Sequence, residues 1–188
     1  MSDRYLVDFC APTLAKLKAA SLFSCRPEGA GDLDRWLAGH EREFIRSGLR
    51  FFVLRRSREN ALVLLYRESQ LRRALSAPDV REFLAGFGYP GELPGTEACL
   101  LHLKERVVSC ADGGFPHEIG IFLGYPLCDV RGFIEQRGKH CLVQGFWKVY
   151  GNEKETCAAF ARFRKCREIY RELWQSGRRT LVELTVAG

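Results

Sequence analysis

No two of the eight cysteines stand as C-x-x-C, which removes zinc-ribbon, thioredoxin-like and ferredoxin-like sites from consideration. There is no P-loop and no G-x-S-x-G, so a nucleotide cradle and a serine hydrolase both lack support. No apolar run approaches the roughly 20 residues that cross a bilayer. The opening MSDRYLVDFC has an early acid and no apolar signal-peptide core. Long polar or low-complexity tracts are missing as well, so disorder is not expected. These absences leave a folded protein expected in the cytoplasm, without membrane insertion.

What is present fits one domain over residues 1–188, long enough to bury a core without metal or disulfide help. In a reducing cytoplasm the cysteines read as free thiols, most of them small buried hydrophobes. The net charge is +6, with short clusters at Arg55-Arg56-Arg58, Arg72-Arg73 and Arg178-Arg179. Acids such as Glu59 and Glu68 interrupt these clusters, so they read as a solvated basic face. A nucleic-acid partner is not expected; an acidic protein is compatible with such a surface.

The pattern along the chain predicts an α+β fold: a small, mainly antiparallel sheet covered by about seven helices. The sheet combines a hairpin near 49–66 with strands near 20–25 and 141–149. Pro12 suits a first helical turn, which sets a helix start at Thr13 and puts Cys10 just before it. Helices are further expected after Asp32, over 69–75, from Pro78, from Pro94 to Cys110 and around 117–123. Two more are expected over 129–135 and Glu153–Gln175, the last with Asn152 as its cap and Phe160, Phe163, Cys166, Tyr170 and Leu173 on one face. Gly145 reads as a bulge or a point of close approach. Residues 180–186 fit a strand or a last helix.

The stretch FPHEIGIFLGYPLCDVRGFI, Phe115 to Ile134, carries the densest chemistry. Position 121 is Ile, so H-E-x-x-H is absent. His117 and Glu118 could act as acid and base, although helix neighbours point about 100° apart; equally, Glu118 could simply stabilise a helix start. Cys10 at a helix N-terminus would favour a thiolate and could pair with His117; a buried cysteine beside Pro12 is the plain alternative. His117 and Cys141 are candidate metal ligands, with His140 adjacent but badly spaced. Lys148 could bind a phosphate or carboxylate, or be the wet side of a strand.

Three stretches together resemble one bacterial family: C-A-P-T-L-A-x-x-K at Cys10 to Lys18, F-P-H-E-I-G-x-F-L-G-Y-P with D-V-x-G-F-I, and G-K-x-C with G-x-W-K-V-Y at Gly138 to Tyr150. That family is an uncharacterised domain of unknown function from anaerobic bacteria. The resemblance implies a redox or iron-linked setting, with flavodoxin-type carriers as neighbours. It also marks Cys10, Lys18, His117, Glu118, Tyr125, Lys139, Cys141, Lys148 and Tyr150 as motif positions. The expectation is a thiol/His-dependent enzyme or redox accessory, with Cys10, His117 and Glu118 catalytic and Lys18, Tyr125, Lys139, Lys148 and Tyr150 binding a small molecule. The alternative is a non-catalytic module for an anionic ligand or an acidic flavodoxin-like partner. Cofactor and oligomeric state are left open by these residues.

Overall fold

The computed structural model describes residues 2–27, 29, 31–57, 59–90, 95–110 and 114–187. Arg58, the helix start at Pro94 and the break at Asp112-Gly113 lie outside the described residues.

The fold is α+β. A three-stranded antiparallel sheet of order β1-β3-β2 is built from β1 (Ala20–Cys25), β2 (Leu49–Arg56) and β3 (Ala61–Arg67). β3 is central. Its run ALVLLY is apolar at every position because both faces are covered. Strand alternation sends Leu62, Leu64 and Tyr66 to one core and Ala61, Val63 and Leu65 to the other. α1 (Arg4–Leu14), α2 (Asp32–Arg46) and the later turns of α8 (Glu153–Gln175) cover the second face. The first is covered by α3 (Glu68–Ser76), α4 (Pro78–Ala85), α5 (Thr96–Ser109), α6 (Ile119–Phe122) and α7 (Leu127–Glu135).

The 141–149 stretch does not join this sheet. It forms a separate hairpin of β4 (Val143–Gln144) and β5 (Lys148–Val149). The reason is its aromatic turn. Phe146 and Trp147 pack against Phe160 and Phe163 of α8, which draws the hairpin away from any sheet edge. Gly145 is a point of close approach, since a Cβ there would meet the Phe160 ring at 2.3 Å.

A second correction concerns α1. It starts at Arg4 and contains Pro12 near its end, so Cys10 lies mid-helix and not before a helix start. Pro12 lacks an N–H, but the apolar residues Leu6, Val7, Cys10 and Leu14 form one buried stripe that carries the helix past it. The helix then stops where Lys16 adopts φ 62°, and the N–H groups of Leu17 and Lys18 donate to the Pro12 carbonyl at 2.8 and 3.1 Å. This turn sets the direction of Lys18.

Residues 180–186 are neither strand nor helix of any length; they form turns. Leu181 and Leu184 are buried there, and Val186 N–H donates to Leu14 O at 3.0 Å. Gly86 to Gly91 has the spacing G-x-G-x-x-G. It follows helix α4 and not a strand, which is the wrong context for a dinucleotide cradle.

Candidate functional site

The hairpin is fastened to α7 by one carboxylate. Asp129 is buried in the first turn of α7 and accepts from Trp147 Nε1 at 2.8 Å, Tyr150 N at 2.7 Å and Gly151 N at 2.8 Å. A carboxylate saturated this way is a staple for the hairpin and not a group free for acid–base work. It holds the Trp147 indole stacked on Tyr125, with centroids 4.5 Å apart and planes 21° apart. Tyr125 sits at the corner between α6 and α7, where Gly124 at φ 77° ends the preceding turn and packs onto Ala19.

Between α6, α7 and the hairpin lies a cavity of about 330 Å³, within the size range of small-molecule sites. Tyr125, Phe133, Phe146 and Trp147 form its aromatic walls. His117 and Lys148 supply its nitrogen groups and Gln144 an amide. The His117 ring meets Phe133 edge-on at 4.8 Å. The Lys148 ammonium donates one hydrogen bond to Gly138 O at 2.7 Å and lies 5.9 Å from the Phe133 ring centre. Burial pushes the Tyr125 phenol up to about 12, so it stays neutral at physiological pH.

His117 and Glu118 separate at this point. His117 is exposed at the cavity, whereas Glu118 is 1 % exposed and faces the interior. There it accepts from Arg106 Nε and from the Tyr89 hydroxyl, the latter at 3.3 Å. Burial first, and then the Glu118 charge, push the Tyr89 phenol up.

Cys10 is fully buried, and burial raises its thiol well above the ordinary range despite the opposing pull of Lys18 and a hydrogen bond to Ser21. It belongs to the core formed with Phe23, Phe44 and Leu65. Lys18 extends instead to the Tyr125 ring, with its ammonium 4.9 Å from the ring centre. Burial lowers its pKa to about 8, partly countered by Cys10.

Of the expected binding residues, Tyr125 and Lys148 line the cavity and Lys18 adjoins it through Tyr125. Lys139 is exposed elsewhere, and Tyr150 packs its ring on Gly132, where a Cβ would come within 2.5 Å. Cys141 is half-buried and His140 exposed. Among the described residues no three His, Cys, Asp or Glu side chains gather to hold a metal ion. Sequence reasoning missed Trp147, Asp129, Phe133, Gln144 and Phe146. The alternation of aromatic and basic residues in FWKVY was the signal for the last. A buried Asp is not separable by eye from an ordinary helix-start acid.

Against family models, residues 6–184 match the family described as "Protein of unknown function (DUF3793)". The chain belongs to that family. No curated protein and no solved structure matches it.

Proposed function

We propose that the protein is a binding module for a flat, anionic small molecule held in the cavity between α6, α7 and the β4–β5 hairpin. One observation carries this reading: His117 and Tyr125 from the two ends of α6, and Trp147 and Lys148 from the hairpin, converge on one aromatic-walled cavity. Aromatic walls supply dispersion and stacking to a planar ring. Lys148 and His117 supply donors, and Lys148 a positive charge, to an anionic substituent.

The thiol/His enzyme has less support. Its thiol is sealed in a core and its Glu118 is engaged by Arg106 on the far side of the helix start. An acidic redox partner also has less support at the basic cluster, because Arg56 already donates from Nη1 and Nη2 to the Asp34 carboxylate at 2.8 and 2.6 Å. Eight cysteines without paired spacing fit a reducing cytoplasm.

The test is calorimetric titration with 2-naphthoate, a flat aromatic carboxylate. One-to-one binding that weakens at least tenfold in Trp147→Ala and in Lys148→Met is expected. Heat that is identical in the wild type and both variants, or no heat at all, overturns the reading.

A further inference from the structure

A smaller recess of about 180 Å³ adjoins the cavity, sharing Tyr125 and Phe146 as common wall. Its charged lining is Lys18, Arg167 and Asp8. Asp8 is already taken twice, by Arg4 Nε at 3.1 Å and by Arg171 Nε at 2.5 Å. Its single negative charge is therefore outnumbered locally by four positive ones. The Arg167 guanidinium lies 5.5 Å from the Phe146 ring centre, and the Lys18 ammonium lies over Tyr125. Each of the two shared aromatic walls thus carries a cation at the recess side.

Lys18 is the informative group. Its side chain is half-buried against the Tyr125 ring, and among the described residues no oxygen accepts a hydrogen bond from its ammonium and no carboxylate pairs with it. The Ser21 hydroxyl in the recess lining shares a hydrogen bond of 2.8 Å with the Thr13 hydroxyl. A cation partly taken out of water with only a ring face beside it loses hydration that the ring restores in part. An anion in the recess would offset the remainder.

We propose that the Lys18–Arg167 recess is an anion subsite, and that the ligand of the aromatic cavity carries a second anionic group, of the carboxylate or phosphate class, which docks there. This rests on the cavity reading above for the ring, and on the recess alone for the second charge. The ligand class becomes an aromatic dianion, or an aromatic ring bearing a phosphate. Arg167 would offer its planar fork to two oxygens of the group, with Lys18 as a point charge beneath it.

Two measurements test it, each on the full chain. The first compares 2-naphthoate with 2,6-naphthalenedicarboxylate by calorimetry in the wild type, Lys18→Met and Arg167→Met, with circular dichroism confirming that each variant is folded. The dicarboxylate is expected to bind at least tenfold more tightly in the wild type, with the preference falling below threefold in either variant while 2-naphthoate affinity holds. The second follows backbone amide shifts of Ser21, Leu22 and Leu123 during titration with inorganic phosphate. Saturable shifts in the wild type that vanish in Lys18→Met/Arg167→Met support the subsite even where neither naphthoate binds, an outcome that would remove the cavity reading alone. Binding of both naphthoates with equal affinity, or phosphate shifts that persist in the double variant or are absent from the wild type, overturns the subsite.

Discussion

The Lys18 ammonium lies 4.9 Å from the centre of the Tyr125 ring, joining the turn after α1 to the corner between α6 and α7. The contact sits where cavity and recess meet. It also means that the protein keeps a lysine in a place that costs it stability.

That cost has a sign that can be measured. Burial lowers the Lys18 pKa from the ordinary 10.5 to about 8, so below pH 8 both folded and unfolded chains carry the charge and the folded one bears the desolvation penalty. Between about 8 and 10.5 the unfolded chain binds more protons than the folded one, and stability from this group rises with pH. Lys18→Met is therefore expected to stabilise the fold at pH 7 by on the order of 1–3 kcal/mol, after loss of the ring contact. The gain should shrink towards zero by pH 10.5, read as the difference in denaturation midpoint between variant and wild type. A variant less stable than the wild type at pH 7 would show that the ring contact outweighs the burial penalty.

Arg67 does the opposite: it is buried and fully used. At 1 % exposure its guanidinium donates to the carbonyls of Thr13 (2.7 Å), Leu14 (2.6 Å), Ser47 (3.0 Å) and Val186 (2.8 Å). It ties the ends of α1 and α2 and the C-terminal turns to the end of β3, with a positive charge at the negative end of α1. Arg67→Met should lower stability by about 3–5 kcal/mol in urea denaturation, because several buried carbonyls lose their donor together. Arg67→Lys should recover only part of this, since one ammonium cannot match the planar fork.

How much of this was readable in advance follows from which interactions are local. β1, the β2–β3 hairpin and α8 with its Asn152 cap were legible because period, branching and capping are encoded within a few residues. The Asn152 side chain does accept from Glu155 N at 3.2 Å. The position of Cys10 was misread because Pro12 carries a local signal for a helix start, and a buried stripe from Leu6 to Leu14 outweighed it. The 141–149 hairpin was misassigned to the sheet because its partner, the Phe160–Phe163 face, lies on the next helix. Arg67 left no trace at all: an arginine ending a strand looks solvent-exposed until four distant carbonyls close around it. Within the site, Tyr125 and Lys148 were picked by motif, while Asp129 needed three contacts across the hairpin to be recognised.

Glu118 is expected to matter for the fold and not for ligand binding. Removing one partner of a buried pair leaves the other charge uncompensated, so Glu118→Gln should cost about 2–4 kcal/mol. Arg106 is partly open to solvent, with its side chain 31 % exposed, which holds the loss below that of a fully buried charge. Arg106→Met added to Glu118→Gln removes the part of the orphaned charge that stays buried and should restore that part of the loss. A coupling energy above about 1 kcal/mol in this double-mutant cycle is the expected result. Unchanged 2-naphthoate affinity in Glu118→Gln would agree with its place on the inner side.

Thiol labelling separates the two original readings directly. Cys128 is exposed and Cys10 fully buried with its thiol raised, so iodoacetamide at pH 8 should modify Cys128 first and Cys10 only as the chain unfolds. Peptide mass spectrometry at intervals gives the order. Rapid labelling of Cys10 in the folded protein would revive the nucleophile and count against the buried-core account.

Gly145 gives the sharpest test of how the cavity is built. A Cβ at this position would meet Phe160 Cε2 at 2.3 Å and Cδ2 at 2.4 Å, distances that no packed pair tolerates. Phe160 cannot swing aside cheaply, because it is buried and its ring meets Trp147 edge-on at 4.5 Å. Gly145→Ala therefore pushes the hairpin off α8 or pushes Phe160 into Trp147, at about 1–3 kcal/mol. Either movement disturbs the Trp147–Tyr125 stack, so 2-naphthoate affinity should fall by tenfold or more alongside the stability. Shortening the opposing ring in Gly145→Ala/Phe160→Leu makes room for the new methyl and should return most of the stability. Affinity should then return with it if Phe160 acts only as a backing wall, and stay low if the edge-on ring is what holds Trp147 in place against the ligand.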